Sequence, residues 1–278
     1  MKNVIIDIGN FAIKYKADRT GKFSSKTHRK FESNIDAFQR IEFENKITFI
    51  GVGQLEKEFN KIKKDTLTEQ ILYAISKATN ESDINLCLLL PISQIPQKEE
   101  LIQRFNDKVY EFSYNEVNKK IKINKCVVLP EGQCAYYSLI NPSPYSLVID
   151  LGSRTINWVA YEDGKVMKNG TEKLGVLDFY SRIKDLENAK GENYEIEDIE
   201  TQIKRGRIVV SQDMYKDFLK DILNIIKPSV NIKNHDVTLV GGGASVVKSV
   251  LEQLNVNVSE NPEFANVLGA EKICKAMM

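Results

Sequence analysis

The sequence is poor in the residues that build the commonest catalytic and metal sites. It has two histidines, His28 and His235, so a histidine-based metal centre or a Ser-His-Asp triad is not expected. Its four cysteines form no Cys-x-x-Cys pair and lie in or beside apolar segments, as expected of small core residues in a reducing compartment. Triad hydrolases and histidine-based metalloenzymes are therefore poor hypotheses.

The net charge is also small, and long apolar runs are missing from the sequence. Lysine and arginine number 39 against 38 aspartate and glutamate, and the formal net charge of +1 favours neither nucleic acid nor an acidic membrane as a direct partner. The longest apolar run, 86–92, contains Pro91 and is far too short to span a bilayer. The chain enters a predicted strand by Val4 without a basic and apolar leader. We therefore expect a soluble cytoplasmic protein.

The pattern of elements predicts an α/β protein with two domains. A length of 278 residues suits two domains of ordinary size, and 42% hydrophobic with 28% charged residues is typical of a globular protein. Strand and helix patterns alternate in both halves. Asn-Pro-Ser-Pro at 141–144 interrupts them sharply, which predicts domains at 1–145 and 146–264.

Two hairpin patterns suggest phosphate binding. Segment 146–161 is an apolar strand that ends on Asp150, then a glycine turn and a second strand. A glycine turn lets backbone N–H groups approach a phosphate, and a strand-end carboxylate can hold its Mg²⁺ through water. Ordinary hairpins share this pattern. Segment 3–15 repeats the plan around Asp7 and Gly9, and this repetition favours the phosphate-binding interpretation.

A third glycine-rich element follows the predicted strand 236–240. Three glycines at 241–243 offer bare backbone to a base or ribose, and the N-terminus of a predicted helix at 244–254 offers free N–H groups. The element is not a Walker A motif, because no Gly-Lys-Ser/Thr follows, and it does not fit a Rossmann fingerprint. By itself it is more simply explained as a tight strand-to-helix turn.

Taken in order, five motifs resemble the actin/Hsp70/sugar-kinase superfamily. They are DIGNFAIK (7–14), PEGQCAYYSL (130–139), DLGSRT (150–155), LVGGGASVV (239–247) and NPEFANVLGAEKI (261–273). Within the superfamily the chain is most similar to bacterial plasmid-segregation actins of the ParM and AlfA type. This similarity rests on LLLPISQI (88–95), Pro-Glu-Gly (130–132) and P-x-F-x-x-V-x-G (262–269), and the short segment between Gly175 and Met214 favours the AlfA type.

The resemblance implies an actin-like ATPase fold, in which two ribonuclease-H-like domains surround a nucleotide cleft and the C-terminal helix, 265–278, packs back on the first domain. It implies binding and hydrolysis of ATP or GTP with Mg²⁺. It also implies head-to-tail filaments of the chain itself that segregate plasmid or other DNA. A DNA-binding adaptor protein would carry the DNA, so we expect no direct contact with nucleic acid or membrane.

The resemblance also implies roles for individual residues. Asp7 and Asp150 would flank the Mg²⁺ and hold it mainly through water, and Glu131 would orient or deprotonate the attacking water. Helix capping is an alternative role for Glu131. The expected nucleotide contacts are Gly9, Asn10, Phe11, Lys14, Gly152, Ser153, Arg154, Thr155, Glu200, Lys204, Gly241, Gly242 and Gly243. For Lys14, Arg154, Glu200 and Lys204 a solvent-facing position is the alternative.

Three functions stay open on the sequence. A polymerising ATPase is favoured. A small-molecule kinase of the same superfamily, similar to type III pantothenate kinases, shares the short chain and the N-terminal D-x-G-N, but it would need an acceptor pocket, for which we find no motif. Arg154 and Asn157 stand where relatives more often carry Thr/Gly and Asp. The second phosphate loop is therefore expected to bind differently or hydrolyse slowly, which leaves a non-hydrolysing scaffold as the third hypothesis.

Overall fold

The computed structural model describes residues 1–30, 38–53, 55 and 58–278. They form two compact units, Met1–Ser138 with Asn266–Met278, and Leu139–Ala265. The sequence placed the boundary after the proline-rich segment 141–144, whereas the units divide at Ser138, so that segment lies in the second unit. The C-terminal helix lies in the first unit.

A mixed sheet forms the centre of the first unit. In sheet order its strands are β3-β2-β1-β7-β9-β8-β5-β6-β4. Strands β1, β7 and β9 are parallel to one another, and the outer strands are added in antiparallel fashion. The strands are β1 (Lys2–Asp7), β2 (Ala12–Lys16), β3 (Thr20–Ser24), β4 (Thr27–His28), β5 (Arg40–Phe43), β6 (Lys46–Ile50), β7 (Asp83–Leu90), β8 (Lys108–Tyr114) and β9 (Val117–Pro130).

The helices of this unit are α1 (Leu67–Ala78), α2 (Lys98–Phe105), α3 (Gln133–Tyr136) and the C-terminal α7 (Ala265–Met277). Helix α1 presents Leu67, Ile71 and Ile75 at helical spacing, and all three are fully buried in the core. Helix α3 is short, because the chain leaves it through i→i+3 hydrogen bonds at Tyr137 and Ser138.

The second unit contains a five-stranded sheet in the order β12-β11-β10-β13-β14. Strand β10 is antiparallel to β11 and parallel to β13. The strands are β10 (Tyr145–Leu151), β11 (Ile156–Glu162), β12 (Lys165–Glu172), β13 (Asp236–Val240) and β14 (Val256–Val258), and the helices are α4 (Val176–Asn188), α5 (Ile196–Lys204) and α6 (Gln212–Ile226). Stacked Phe179 and Phe218 join α4 and α6 in its core. In the part of the chain that the structure describes, no helix is long and apolar enough to cross a membrane.

The predicted helix at 244–254 is wrong. The segment instead forms three short 3₁₀ turns, Gly242–Ser245, Lys248–Val250 and Glu252–Leu254. Its backbone bonds link residues three apart, for example Val246 N–H to Gly243 O at 3.0 Å. Glycines at the start and the β-branched pair Val246–Val247 disfavour a regular helix, so the local contacts select the tighter turn.

Close backbone packing joins the C-terminal helix α7 to α3. A Cβ built on Gly269 would lie 1.7 Å from the carbonyl oxygen of Cys134 and 2.7 Å from its carbonyl carbon. Backbone atoms cannot move aside as the tip of a flexible side chain can. Glycine at position 269 is therefore required for α7 to approach α3 this closely.

We predict that Gly269→Ala destabilises the protein by about 1–3 kcal/mol through overpacking. Helix propensity alone would stabilise the variant by roughly 0.5–1 kcal/mol, so the sign of the change separates the two effects. Urea unfolding measures it. Lys272→Ala, at an exposed position of the same helix, is the control and is expected to stay within about 0.5 kcal/mol of wild type. A stabilised Gly269→Ala would contradict the packing described.

Candidate functional site

The first hairpin forms a largely buried ion pair next to its turn. Strand β1 ends at Asp7, and the antiparallel register of β1 and β2 places Lys14 directly opposite it. Lys14 Nζ lies 3.1 Å from Asp7 Oδ2, and the two side chains are 13% and 5% exposed. The seven-residue spacing thus brings lysine and carboxylate together on one face, and Lys14 is not a solvent-facing strand lysine.

The turn of this hairpin is tight and contains an unsatisfied polar atom. Gly9 N–H donates to Asp7 O at 3.0 Å, and a Cβ at Gly9 would lie 2.0 Å from Ala12 O. Asn10 is buried and its Oδ1 has no hydrogen-bond partner, whereas Phe11 is partly exposed. A buried acceptor without a donor is uncommon in proteins. Asn10 therefore fits a turn that receives a ligand or its bound water.

Two buried lysines that the sequence analysis missed join this hairpin. Lys61 Nζ lies 2.5 Å from Glu131 Oε1 and 3.8 Å from Asp7 Oδ1, and Lys64 Nζ lies 3.4 Å from Gly9 O. Both lysines are 4% exposed. They come from the run Asn-Lys-Ile-Lys-Lys at 60–64, which has the composition of a solvated surface. No local signal distinguishes its buried lysines from an exposed one such as Lys63.

Glu131 is held at the end of strand β9 from two directions. Its N–H donates to Leu90 O at 2.8 Å, which ties it to the end of β7. The next residue, Gly132, has a φ of 75° and turns the chain into α3, while its N–H donates to Asn266 Oδ1 of α7 at 2.9 Å. The Pro-Glu-Gly motif thus places a buried carboxylate at the carboxyl edge of the parallel strands.

We call Asp7, Lys14, Lys61, Lys64 and Glu131 the lysine–carboxylate cluster. Burial alone would raise the pKa of Asp7, but the charges of Lys14, Lys61 and Lys64 outweigh burial and lower it. The cluster thus brings three ammonium groups and two carboxylates together. Buried charges are stable when they are paired, and lysine ammonium groups beside a glycine turn suit an anion such as phosphate.

The second hairpin repeats this geometry with a neutral partner. The register of β10 and β11 places Asn157 opposite Asp150, as Lys14 lies opposite Asp7. Asn157 is buried and its Oδ1 accepts a hydrogen bond from Thr171 Oγ1 at 2.8 Å. Asp150 is equally buried. This hairpin therefore has an amide where the first hairpin has an ammonium group.

Helix α4 supports the turn of the second hairpin. Gly152 N–H donates to Thr155 O at 2.9 Å, and the helix N–H groups of Val176 and Leu177 donate to the carbonyls of Gly152 and Ser153. A Cβ on Gly175 would lie 2.3 Å from Ser153 O. Gly175 directly precedes α4, and its close contact with the turn was not expected from the sequence.

The glycine-rich loop lies beside Asp150 within the second unit. Gly241 has a φ of +86°, and a Cβ there would lie 2.3 Å from Asp150 Oδ1. The parallel register that pairs Asp150 with Val240 explains this proximity. At Gly242 the nearest atom to such a Cβ is Glu263 Oε1 at 3.9 Å, so this glycine presents open backbone. The structure thus brings together the second carboxylate and the loop predicted to contact the nucleoside.

Two of the predicted contact residues form a pair of their own. Glu200 and Lys204 lie one turn apart on α5, where Lys204 Nζ binds Glu200 Oε1 and Lys204 is largely exposed. This is the arrangement of a solvated helix face, the alternative that the sequence left open. In the turn of the second hairpin, Thr155 is buried, whereas Ser153 and Arg154 are partly exposed.

The carboxylates present fit a cation held mainly through water. Among the described residues, no group of three or more histidine, cysteine, aspartate and glutamate side chains could hold a metal ion. Mg²⁺ keeps several waters and commonly binds one or two carboxylates together with substrate phosphates. Asp7 and Asp150, each buried at a strand end beside a glycine turn, suit that type of binding.

Comparison with known proteins agrees with this geometry. Residues 6–133 match the family model of the actin-like protein N-terminal domain. The fold is similar to a ParM filament from Clostridium botulinum (TM-score 0.75, 19% identity, 99% of each chain covered). It is also similar to an archaeal actin homologue in complex with ADP (0.82, 16%, 99% of this chain and 100% of that chain) and to the AlfA filament of Bacillus subtilis plasmid pLS32 (0.67, 19%, 98% of each).

A comparison with curated proteins gives no match. The solved structures nevertheless cover nearly the whole chain, and the family model covers most of the first unit. The chain therefore has the actin-like fold and resembles actins of the ParM and AlfA type, as the sequence motifs indicated.

We predict that Lys14→Met destabilises the protein by about 1–3 kcal/mol at pH 7, because it removes a partner of a buried carboxylate. Ionised Asp7, whose folded-state pKa is lowered, contributes stability above the usual aspartate pKa of about 3.9. That contribution is lost as the pH falls through the folded-state pKa. The deficit of the variant is thus expected to shrink as acid protonates its Asp7.

Urea unfolding of both proteins from pH 7 down to about pH 3, below the usual aspartate pKa, measures this deficit. Lys22→Met, which removes an exposed lysine from the neighbouring strand β3, is the matched control and is expected to stay within about 0.5 kcal/mol of wild type. A deficit that is equal at every pH would show that Lys14 acts through packing and not through the charge of Asp7.

Proposed function

We propose that this chain is an actin-like ATPase that binds and hydrolyses ATP or GTP with Mg²⁺ and polymerises into filaments for the segregation of plasmid or other DNA. The observation that carries the proposal is the lysine–carboxylate cluster. Its paired lysines and carboxylates lie at the carboxyl edge of parallel strands, beside a glycine turn with an unsatisfied polar atom. In α/β folds this edge is where ligands commonly bind.

Each unit contains elements that would contact a nucleotide. In the first unit, the turn from Gly9 to Phe11 with Lys14 would take phosphate oxygens. In the second unit, the turn from Gly152 to Thr155 would do the same, and the open backbone at Gly242 would receive the nucleoside. Neither Gly242 nor Gly243 carries a side chain that would select adenine over guanine.

Hydrolysis would use Glu131 to orient or deprotonate the attacking water. Phosphoryl transfer asks the protein mainly for positioning and charge stabilisation, which buried lysines and fixed turns supply. A bound Mg²⁺ would neutralise part of the phosphate charge. Asp7 and Asp150 would orient the waters around it. The amide of Asn157 supports the expectation of slow turnover, because the position opposite Asp150 has no counterpart of the Lys14 ammonium group.

Filament formation is supported by the similar ParM and AlfA structures, both of which are filaments. The formal net charge of +1 provides little attraction to DNA phosphates, so a separate DNA-binding adaptor would carry the cargo. The small-molecule kinase is not favoured, since the similar structures described above are actin-like proteins over nearly their whole length.

We predict that Mg-ATP or Mg-GTP induces assembly of the purified protein. Light scattering and pelleting are expected to rise above a critical protein concentration, because head-to-tail contacts form only when enough protomers carry nucleotide. The same protein without nucleotide is the control. No rise at any tested concentration with either nucleotide would contradict the filament proposal.

We further predict that Glu131→Gln lowers the rate of phosphate release by about 10²-fold or more while nucleotide affinity stays within about threefold, because the amide keeps the shape but cannot accept a proton. Phosphate release is followed under saturating nucleotide, and affinity by calorimetry. Glu99→Gln, on the exposed side of α2, is the control. Unchanged turnover in Glu131→Gln would remove Glu131 from the catalytic role.

A further inference from the structure

Lys61 connects the two carboxylates of the lysine–carboxylate cluster. Its single ammonium group lies 2.5 Å from Glu131 Oε1 and 3.8 Å from Asp7 Oδ1. The Lys61 side chain is 5% exposed, and those of Asp7 and Glu131 are 5% and 6% exposed. Two buried carboxylates within reach of one ammonium group would, without that group, form a site attractive to a divalent cation.

The segment that carries Lys61 is fixed by the polar residues that follow β7. Lys61 N–H donates to Gln94 Oε1 at 3.0 Å, and Gln94 Nε2 donates to Phe59 O at 3.2 Å. Asn60 Oδ1 accepts from Ile62 N–H at 3.0 Å, and its Nδ2 donates to Gln97 Oε1 at 2.8 Å. The position of Lys61 is thus determined by several contacts of the backbone around it.

Packing of Ile62 in the apolar core also fixes this segment. Ile62, the residue after Lys61, is 1% exposed and belongs to the core of the first unit. A lysine on such a fixed turn loses little further freedom when its ammonium group pairs with a carboxylate. The fold therefore holds the Lys61–Glu131 pair in place, in contrast to exposed ion pairs between long side chains on protein surfaces.

We propose that Lys61 is a positioning residue that separates the roles of the two carboxylates: it holds Glu131 as a base for water and prevents it from joining Asp7 as a metal ligand. The inference rests on the proposed function. Lysine suits this position, because its compact ammonium group can contact two carboxylates without the planar geometry that arginine imposes.

The first test is binding of Mn²⁺ to the protein without nucleotide, followed by electron paramagnetic resonance. Lys61→Met removes the competing ammonium group, so we expect Mn²⁺ to bind about tenfold more tightly than to wild type. A purely structural role would not strengthen metal binding. Lys63→Met, an exposed lysine of the same turn, is the matched control and is expected to bind Mn²⁺ as wild type does.

The second test is turnover at saturating nucleotide and Mg²⁺. Lys61→Met is expected to lower kcat by about 10²-fold, since Glu131 would no longer be held for the attacking water. In the double variant with Glu131→Gln, the tighter Mn²⁺ binding should disappear and kcat should fall no further than in Glu131→Gln alone. Unchanged Mn²⁺ affinity in Lys61→Met, unchanged kcat, or additive losses in the double variant would overturn the inference.

A second variant keeps the inference testable if Lys61→Met does not fold. Gln94→Met keeps all charges but releases the backbone of Lys61, so it should change Mn²⁺ affinity and kcat in the same directions by smaller factors. If Lys61→Met fails to unfold cooperatively on heating, a folded Gln94→Met with wild-type values overturns the inference. If wild type neither binds nor hydrolyses nucleotide, the proposed function fails, and the Mn²⁺ measurement still decides whether Lys61 competes with metal.

Discussion

The site of the first unit depends on the pairing of its buried carboxylates with lysines. Asp7 and Glu131 lie at strand ends where water is largely excluded, and an unpaired charge there would be strongly destabilising. Lys14 reaches Asp7 through the register of a hairpin, and Lys61 reaches Glu131 through a turn fixed by Gln94. Gln94, which follows β7, therefore fixes the backbone of Lys61 although it is not a member of the cluster. The contacts around Lys61 thus combine charge pairing, a fixed turn and core packing.

The same hairpin plan occurs in both units with a different charge balance. An ammonium group lies opposite Asp7 and an amide lies opposite Asp150. The second carboxylate instead has the backbone of Gly241 beside it, where a Cβ would not fit. The first hairpin thus combines a carboxylate with lysine ammonium groups, and the second combines one with bare backbone.

Within each unit, glycines allow close contacts that fix the relative positions of neighbouring elements. Gly269 lets α7 approach α3, and Asn266 of α7 binds the N–H of Gly132, next to Glu131. Gly175 lets the start of α4 approach the turn at Ser153. In both cases a glycine lets an element distant in sequence approach a site turn closely. Side-chain patterns report such contacts poorly, because the residue involved has no side chain.

The sequence by itself determined the strand-end carboxylates, the glycine turns and the actin-like class, since each is a local pattern or an order of local patterns. It also predicted β13 with its observed bounds. It failed at 244–254, where glycines and a valine pair replaced a regular helix with 3₁₀ turns. Only the tertiary structure decided that Lys61 and Lys64 are buried while Lys63 is exposed. The physical reason is that the burial of a charged side chain depends on partners contributed by other strands, and here Glu131 lies seventy residues beyond Lys61 along the chain.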